Sequence, residues 1–298
     1  MNYNKLITKS FIDLDVFNQY ISDDEVIDIL QDFYNEYAFS TFPYNKKLSS
    51  HETYKQYNSG NCIALSFALQ NILKKKNINS YLIPATIPNI YRHPKYLDIS
   101  HVALAIPNKK HNRRCVTVVD TAFYFLNPIN SYIDNFNSDE YNNIVFSKSI
   151  YEEEFANDLK NYKTINKIIN YTNKLDEDKQ FNKWQTILKD TYYTKCHYLH
   201  NILDTWSYYF TSIVNPDECI SDFFLKIKNE PFICACKNDN NSICKSYYYI
   251  KKQNDGYLYI KHNGIAYKYK LNDIPNNIID DLNKNLYKYF KGNIYDFL

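Results

Sequence analysis

The stretch Gly60-Asn61-Cys62-Ile63-Ala64-Leu65-Ser66-Phe67-Ala68-Leu69-Gln70-Asn71-Ile72-Leu73-Lys74-Lys75-Lys76 (GNCIALSFALQNILKKK) decides how the chain is read. Ile63, Phe67, Leu69, Ile72 and Leu73 recur at helical spacing, and Lys74-Lys75-Lys76 put cations where a helix dipole favours them. Cys62 therefore stands at the start of a helix. Gly60 is the only glycine in the first 255 residues and one of four in the chain, so its place two positions before that cysteine asks for a reason.

Downstream lie three short apolar, β-branched runs with polar turn sequences between them: residues 80–87 (SYLIPATI), 101–106 (HVALAI) and 115–123 (CVTVVDTAF). They read as strands. If the second and third form a hairpin around PNKKHNRR, a symmetric pairing centred between Lys110 and His111 sets His101 opposite Asp120. Ala103 then faces Val118 and Ala105 faces Val116 on the same side, while Val102, Leu104 and Ile106 line the other. Directly opposed residues have Cβ atoms roughly 4.5–5.5 Å apart, close enough for a carboxylate to meet an imidazole. The two alanines let a helix pack closely, and the helix beginning at Cys62 would bring its thiol beside His101.

A cysteine at a helix N-terminus next to an imidazole has the setting of an activated nucleophile, and a carboxylate on the far side of the ring orients it. Cys62, His101 and Asp120 are the candidate catalytic residues. Gly60 and Asn61 are the candidate backbone positions on the oxyanion side. Glycine there would let the chain turn sharply and bring N–H groups, including that of Cys62, near a developing negative charge. Each residue alone has a plainer reading, as a small buried hydrophobe, a structural histidine or a turn-forming aspartate. Their order and shared face favour the triad.

The other segments surround this core. Residues 1–57 read as an N-terminal helical region, with Asp23-Asp24-Glu25 opening an amphipathic run through Val26, Ile29, Leu30, Phe33 and Tyr37. Residues 58–150 are the Cys-His-Asp core, and 151–214 read as a helical connector. Residues 215–298 read as a β-meander over 246–252, 257–261 and 265–271, turning at Asn254-Asp255-Gly256 and Asn263-Gly264. A helix over about 273–289, with Pro275 in its first turn, completes them. The fold class is α+β, with a central antiparallel sheet packed on the helix that bears the cysteine.

Composition excludes several functions. The formal net charge is +2, from 35 basic and 33 acidic side chains mixed along the chain, so neither a nucleic-acid footprint nor a membrane-binding patch is expected. No run approaches the about 20 apolar residues of a membrane span, and the start has no signal-peptide core, which predicts a cytoplasmic protein. Seven cysteines at irregular spacing read as reduced thiols. Cys196 and His200, at i and i+4, lack a second cluster to complete a metal site, and Cys234-Ala235-Cys236 with Cys244 reads as strand rather than zinc ligands. No metal and no permanently bound cofactor are expected. Lys109, Lys110, His111, Arg113 and Arg114 read as a solvated hairpin tip.

A cysteine opening a helix, then a histidine and an aspartate on consecutive strands, resembles the transglutaminase-like branch of the papain-like cysteine enzymes. Within that group the layout is most similar to the arylamine N-acetyltransferases. Thr41-Phe42-Pro43-Tyr44-Asn45 faintly resembles their Ile-Pro-Phe-Glu-Asn, and Val118-Val119-Asp120-Thr121-Ala122-Phe123 resembles their Val-Asp-Val-Gly-Phe. Where that family has Arg-Gly-Gly-x-Cys, this chain has Asn58-Ser59-Gly60-Asn61-Cys62 and keeps only the second glycine. The resemblance implies acyl transfer through a thioester on Cys62, with acyl-coenzyme A as co-substrate and a small amine as acceptor. Two other functions share these residues: a peptidase or deamidase acting on protein amides, and an inactive descendant serving as a binding or structural module.

Overall fold

Antiparallel pairing of short apolar strands organises the chain. The structure, a computed structural model, describes residues 7–46, 48–86, 99–122, 126, 128–133, 144–146, 165–174, 192–199, 204–215, 231–238, 244–262 and 265–298. Its elements are β1 (Ile7–Ser10), α1 (Asp23–Glu36), β2 (Ala38–Ser40), α2 (Ser50–Tyr57), β3 (Ser59–Gly60), α3 (Cys62–Lys75), β4 (Tyr81–Thr86), β5 (Ile99–Lys110), β6 (Arg113–Val119) and β7 (Ile129–Tyr132). They continue as β8 (Ile144–Phe146), β9 (Ile165–Lys174), β10 (Tyr192–Leu199), β11 (Asp204–Phe210), β12 (Ser212–Val214), β13 (Phe232–Asn238), β14 (Cys244–Lys252), β15 (Tyr257–His262), β16 (Ile265–Lys270) and α4 (Asn276–Leu286). One sheet runs β7-β6-β5-β4-β11-β10-β9-β8, a second runs β16-β15-β14-β13-β2-β3, and β1 pairs with β12. Among the described residues only β2 and β3 pair in parallel.

The helix over α3 forms as its pattern requires. Cys62 is its first residue, and it stops in a Schellman arrangement: Asn77 is left-handed (φ 60°), Asn77 N–H donates to the Lys74 carbonyl and Ile78 N–H to that of Leu73. The C-terminal meander and α4 also stand where their turn and proline signals put them, and α4 buries Ile279, Leu282 and Leu286. Asn263-Gly264 lies outside the described residues.

The β5–β6 hairpin differs from expectation in one instructive way. Lys110 pairs with Arg113, Ala105 with Val118 and Leu104 with Val119, so the turn centres between His111 and Asn112. A two-residue turn of this kind needs two positive φ angles, here 50° at His111 and 58° at Asn112. Histidine and asparagine accept that region more readily than lysine. Each partner therefore moves by two residues, which leaves every side chain on its own face because the strand period is two. One further step of the register sets Asp120 beside Ala103, with His101 its diagonal neighbour.

Two segments read as helical contain strands. Within 151–214, the described residues form β9 to β12. Aromatic and β-branched residues, such as those of DTWSYYF and YYTKCHYL, suit a pleated sheet and outweighed the helix-like polar spacing. The N-terminal region, besides α1 and α2, supplies β1 and β2. β2 pairs with β13, so the sheet of the C-terminal meander reaches back to residues 38–40 and, through β3, to the residues before Cys62. The C-terminal segment closes the same corner: Lys291 N–H donates to the Tyr57 carbonyl (2.9 Å), and the Tyr57 ring stacks on Phe290 at 5.3 Å and meets Phe297 edge-on. Among the described residues no helix is long and apolar enough to cross a membrane.

The hairpin tip is only partly solvated. Lys110 is 6% exposed and pairs with Asp23 at the start of α1, while its Nζ also donates to Asn130 Oδ1 at 3.0 Å. Asn130 Nδ2 donates to both Asp23 oxygens, and Thr117 Oγ1 donates to Asn130 Oδ1 at 2.7 Å. Asp23 is half-exposed, which discounts the pair's worth. Removing it nevertheless strands a buried ammonium, whereas removing the lysine leaves a carboxylate that water can reach. Asp23→Ala is expected to cost about 2 kcal/mol in urea unfolding, and Lys110→Met less.

Candidate active site

Four local devices shape the approach to Cys62. α2 opens with a capping box between Ser49 and Glu52 and ends at Asn58, whose left-handed backbone (φ 53°) turns the chain. Ser59 and Gly60 then run beside β2. Asn61 caps α3, its Oδ1 accepting the Ala64 N–H at 3.0 Å, while its own N–H donates to Tyr44 Oη at 3.1 Å. Burial pushes the Tyr44 phenol up, so it stays a neutral hydroxyl at this junction.

Gly60 is required for space rather than for the turn. Its φ is not in the left-handed region, and a Cβ placed on it would stand 2.4 Å from the Ala64 Cβ and 3.3 Å from Tyr44 Oη. The expectation that glycine makes the bend is corrected: Asn58 bends the chain, and Gly60 lets β3 lie against the first turn of α3.

The three predicted side chains come together under cover. Cys62 is 4% exposed, His101 3% and Asp120 1%. His101 Nε2–H donates to Asp120 Oδ2 at 2.7 Å, and the ring also interacts with the Cys62 side chain. Burial by itself would lower the His101 pKa, but the Asp120 charge and hydrogen bond, joined by the Cys62 sulfur, outweigh it and raise the value to about 10. The imidazolium is thus the favoured form near neutrality. Ser66, one helical turn beyond Cys62, donates to the Val102 carbonyl at 3.3 Å and lies 3.5 Å from Thr121 Oγ1, fastening α3 to the strands that carry His101 and Asp120.

A fourth polar side chain completes the group. Tyr209 O–H donates to Asp120 Oδ2 at 2.9 Å, and the Ala122 N–H donates to Oδ1 at 3.2 Å. Tyr209 pairs with Ala85 on β4, and Ala85 pairs with His101 on β5. Because Ala85 is small, the phenol can extend across two strand spacings of about 4.8 Å each to the carboxylate. Sequence reasoning missed Tyr209 because its segment was read as helix; the run Trp206, Tyr208, Tyr209, Phe210 carried the strand signal.

Other candidates stay apart. Cys196 lies in β10, where four residues span about 13 Å rather than one helical turn, and His200 lies outside the described residues. Cys115 and Cys234 are buried thiols outside any disulfide. Among the described residues no group of His, Cys, Asp or Glu could hold a metal.

No protein-family model matches the chain, and no curated protein matches it. Solved structures do. Arylamine N-acetyltransferase C of Bacillus anthracis superposes with a TM-score of 0.51 at 13% identity, over 92% of this chain and 94% of that one. An arylamine N-acetyltransferase of Bacillus cereus, which has a Cys-His-Glu triad, gives 0.50 at 12% identity over 89% and 91%. That of Nocardia farcinica gives 0.50 at 10% identity over 91% and 84%. The chain therefore shares the arylamine N-acetyltransferase fold, the layout its sequence resembles.

Two measurements probe this geometry. Gly60→Ala is expected to lose about 1–3 kcal/mol by overpacking, and Gly60→Ala/Ala64→Gly to recover part of it in thermal melts. The raised His101 pKa gives its stabilisation in full below the ordinary imidazole value of 6.5 and loses it as pH rises through about 10. The stability difference between the wild type and Asp120→Asn should therefore shrink from pH 6.5 to 10.

Proposed function

We propose that the chain is a cysteine-dependent acyltransferase in which Cys62 is the nucleophile. The observation that carries this reading is the buried relay from the Cys62 sulfur through His101 to Asp120, at the N-terminus of α3 on an arylamine N-acetyltransferase fold. His101 holds the proton given up by the Cys62 thiol, and the sulfur attacks an acyl carbonyl. Collapse of the tetrahedral intermediate expels the donor's leaving group, which takes the proton from His101, and leaves a thioester on Cys62. An amine acceptor then attacks the thioester, with His101 as its base, and releases the amide. Asp120 orients the ring and stabilises its charge, while the Cys62 N–H, presented by the Gly60-Asn61 approach, meets the oxyanion.

Acyl-coenzyme A is the proposed donor and a small amine the acceptor. An extended protein segment would need an open groove at the sulfur, and the low exposure of Cys62 and His101 favours a small substrate instead.

Incubation with acetyl-coenzyme A should add one acetyl group to the protein by intact mass, removed by an arylamine and lost in Cys62→Ala. Absence of a Cys62-dependent adduct would overturn the proposal.

A further inference from the structure

Among the described residues three α-helices are capped by side chains, and two of the caps are serines: Ser22 on α1 and Ser49 on α2. The third cap, Asn61 on α3, immediately precedes Cys62. Capping needs only an acceptor, which serine, threonine or aspartate supplies as well. Asparagine adds a donor.

That donor is idle among the described residues. Asn61 is fully buried, and among the described residues its Nδ2 has no hydrogen-bond partner. The orientation of its amide is determined from the other side: Oδ1 accepts from Ala64 N–H at 3.0 Å and from Ser50 Oγ at 3.4 Å. Turning the amide over would set its NH2 against the Ala64 N–H, donor against donor. The backbone is held too, by the Asn61 N–H bond to Tyr44 Oη. Beside this fixed amide are the N–H groups of Cys62 and Ile63, the first two of α3, which no acceptor takes among the described residues.

We infer that the Asn61 side-chain amide is a catalytic oxyanion donor that acts with the Cys62 and Ile63 N–H groups. This rests on the proposed role of Cys62 as nucleophile. As the sulfur–carbon bond forms, the carbonyl π pair moves to oxygen, and the first turn of α3 presents fixed donors to that charge. A donor already stripped of water and held in place needs no reorganisation when the charge appears.

The test contrasts two reagents at the same sulfur. p-Nitrophenyl acetate acylates through a tetrahedral oxyanion: its return to a carbonyl expels p-nitrophenolate, and the thiol proton rests on His101. Iodoacetamide alkylates by direct displacement of iodide and forms no oxyanion. Both rates are read at the Cys62 peptide by mass spectrometry, in the wild type and in Asn61→Ser, which keeps a capping oxygen and loses the amide. The ratio of acylation to alkylation rates is expected to fall about 10²- to 10³-fold, the effect of removing one oxyanion donor. A ratio within threefold of the wild type overturns the inference, including when both rates fall together. Asn61→Asp, nearly isosteric, gives the same ratio test if Asn61→Ser loses its cooperative melt. A wild type with no Cys62-dependent acylation by the ester overturns the nucleophile reading, and this inference with it; Cys62-dependent acylation with an unchanged ratio overturns this inference alone.

Discussion

A single buried contact, the 2.7 Å bond between the His101 imidazole and the Asp120 carboxylate, constrains the structure around it. Two ionisable groups have been taken almost wholly out of water, a placement that is tolerable only when each is paired and its remaining hydrogen-bonding capacity is met. Asp120 meets that condition through Tyr209 and the Ala122 N–H, and His101 through the carboxylate and Cys62. Much of the local architecture follows. Ala85 must stay small for the phenol to reach across, and the hairpin must keep its parity for the pair to share a face.

Parity explains how the candidate site could be read without the correct register. Centring the turn one residue too early displaced every partner by two, and a displacement of two preserves the faces of a strand. His101 and Asp120 were therefore brought together by an argument whose detail was wrong. The start of α3 was legible for a different reason: apolar spacing and terminal lysines pointed to the same boundaries. The strands β9 to β12 were not legible in the sequence, because polar and charged positions of that region mimic a helix while the aromatic side chains that favour a sheet are scattered among them. Tyr209 was lost with them. Nor could local sequence reveal that Lys110 turns inward, since its partners Asp23 and Asn130 lie 87 and 20 residues away.

The segment before Cys62 shows how one geometry can be kept with different residues. The resemblance would supply an arginine and two glycines; this chain has Asn58, Ser59 and a single glycine. Asn58 provides the left-handed turn, and Gly60 clears the approach to Ala64. Tyr44, reaching in from the turn after β2, receives the Asn61 N–H. What is retained is the space and the direction of the helix start rather than the motif, which fits a chain that shares a fold with proteins only 10–13% identical to it.

The contacts around Tyr57 link the beginning of the site to residues far along the chain. Phe290, Lys291 and Phe297 close over the end of α2, five residues before Cys62, and β13 holds β2, which in turn holds β3. During synthesis on the ribosome the cysteine emerges more than two hundred residues ahead of Phe290, Lys291 and Phe297. The growing chain therefore carries a thiol whose surroundings are unfinished until Phe297 is in place. Assembly of the site waits on residues made long after its cysteine.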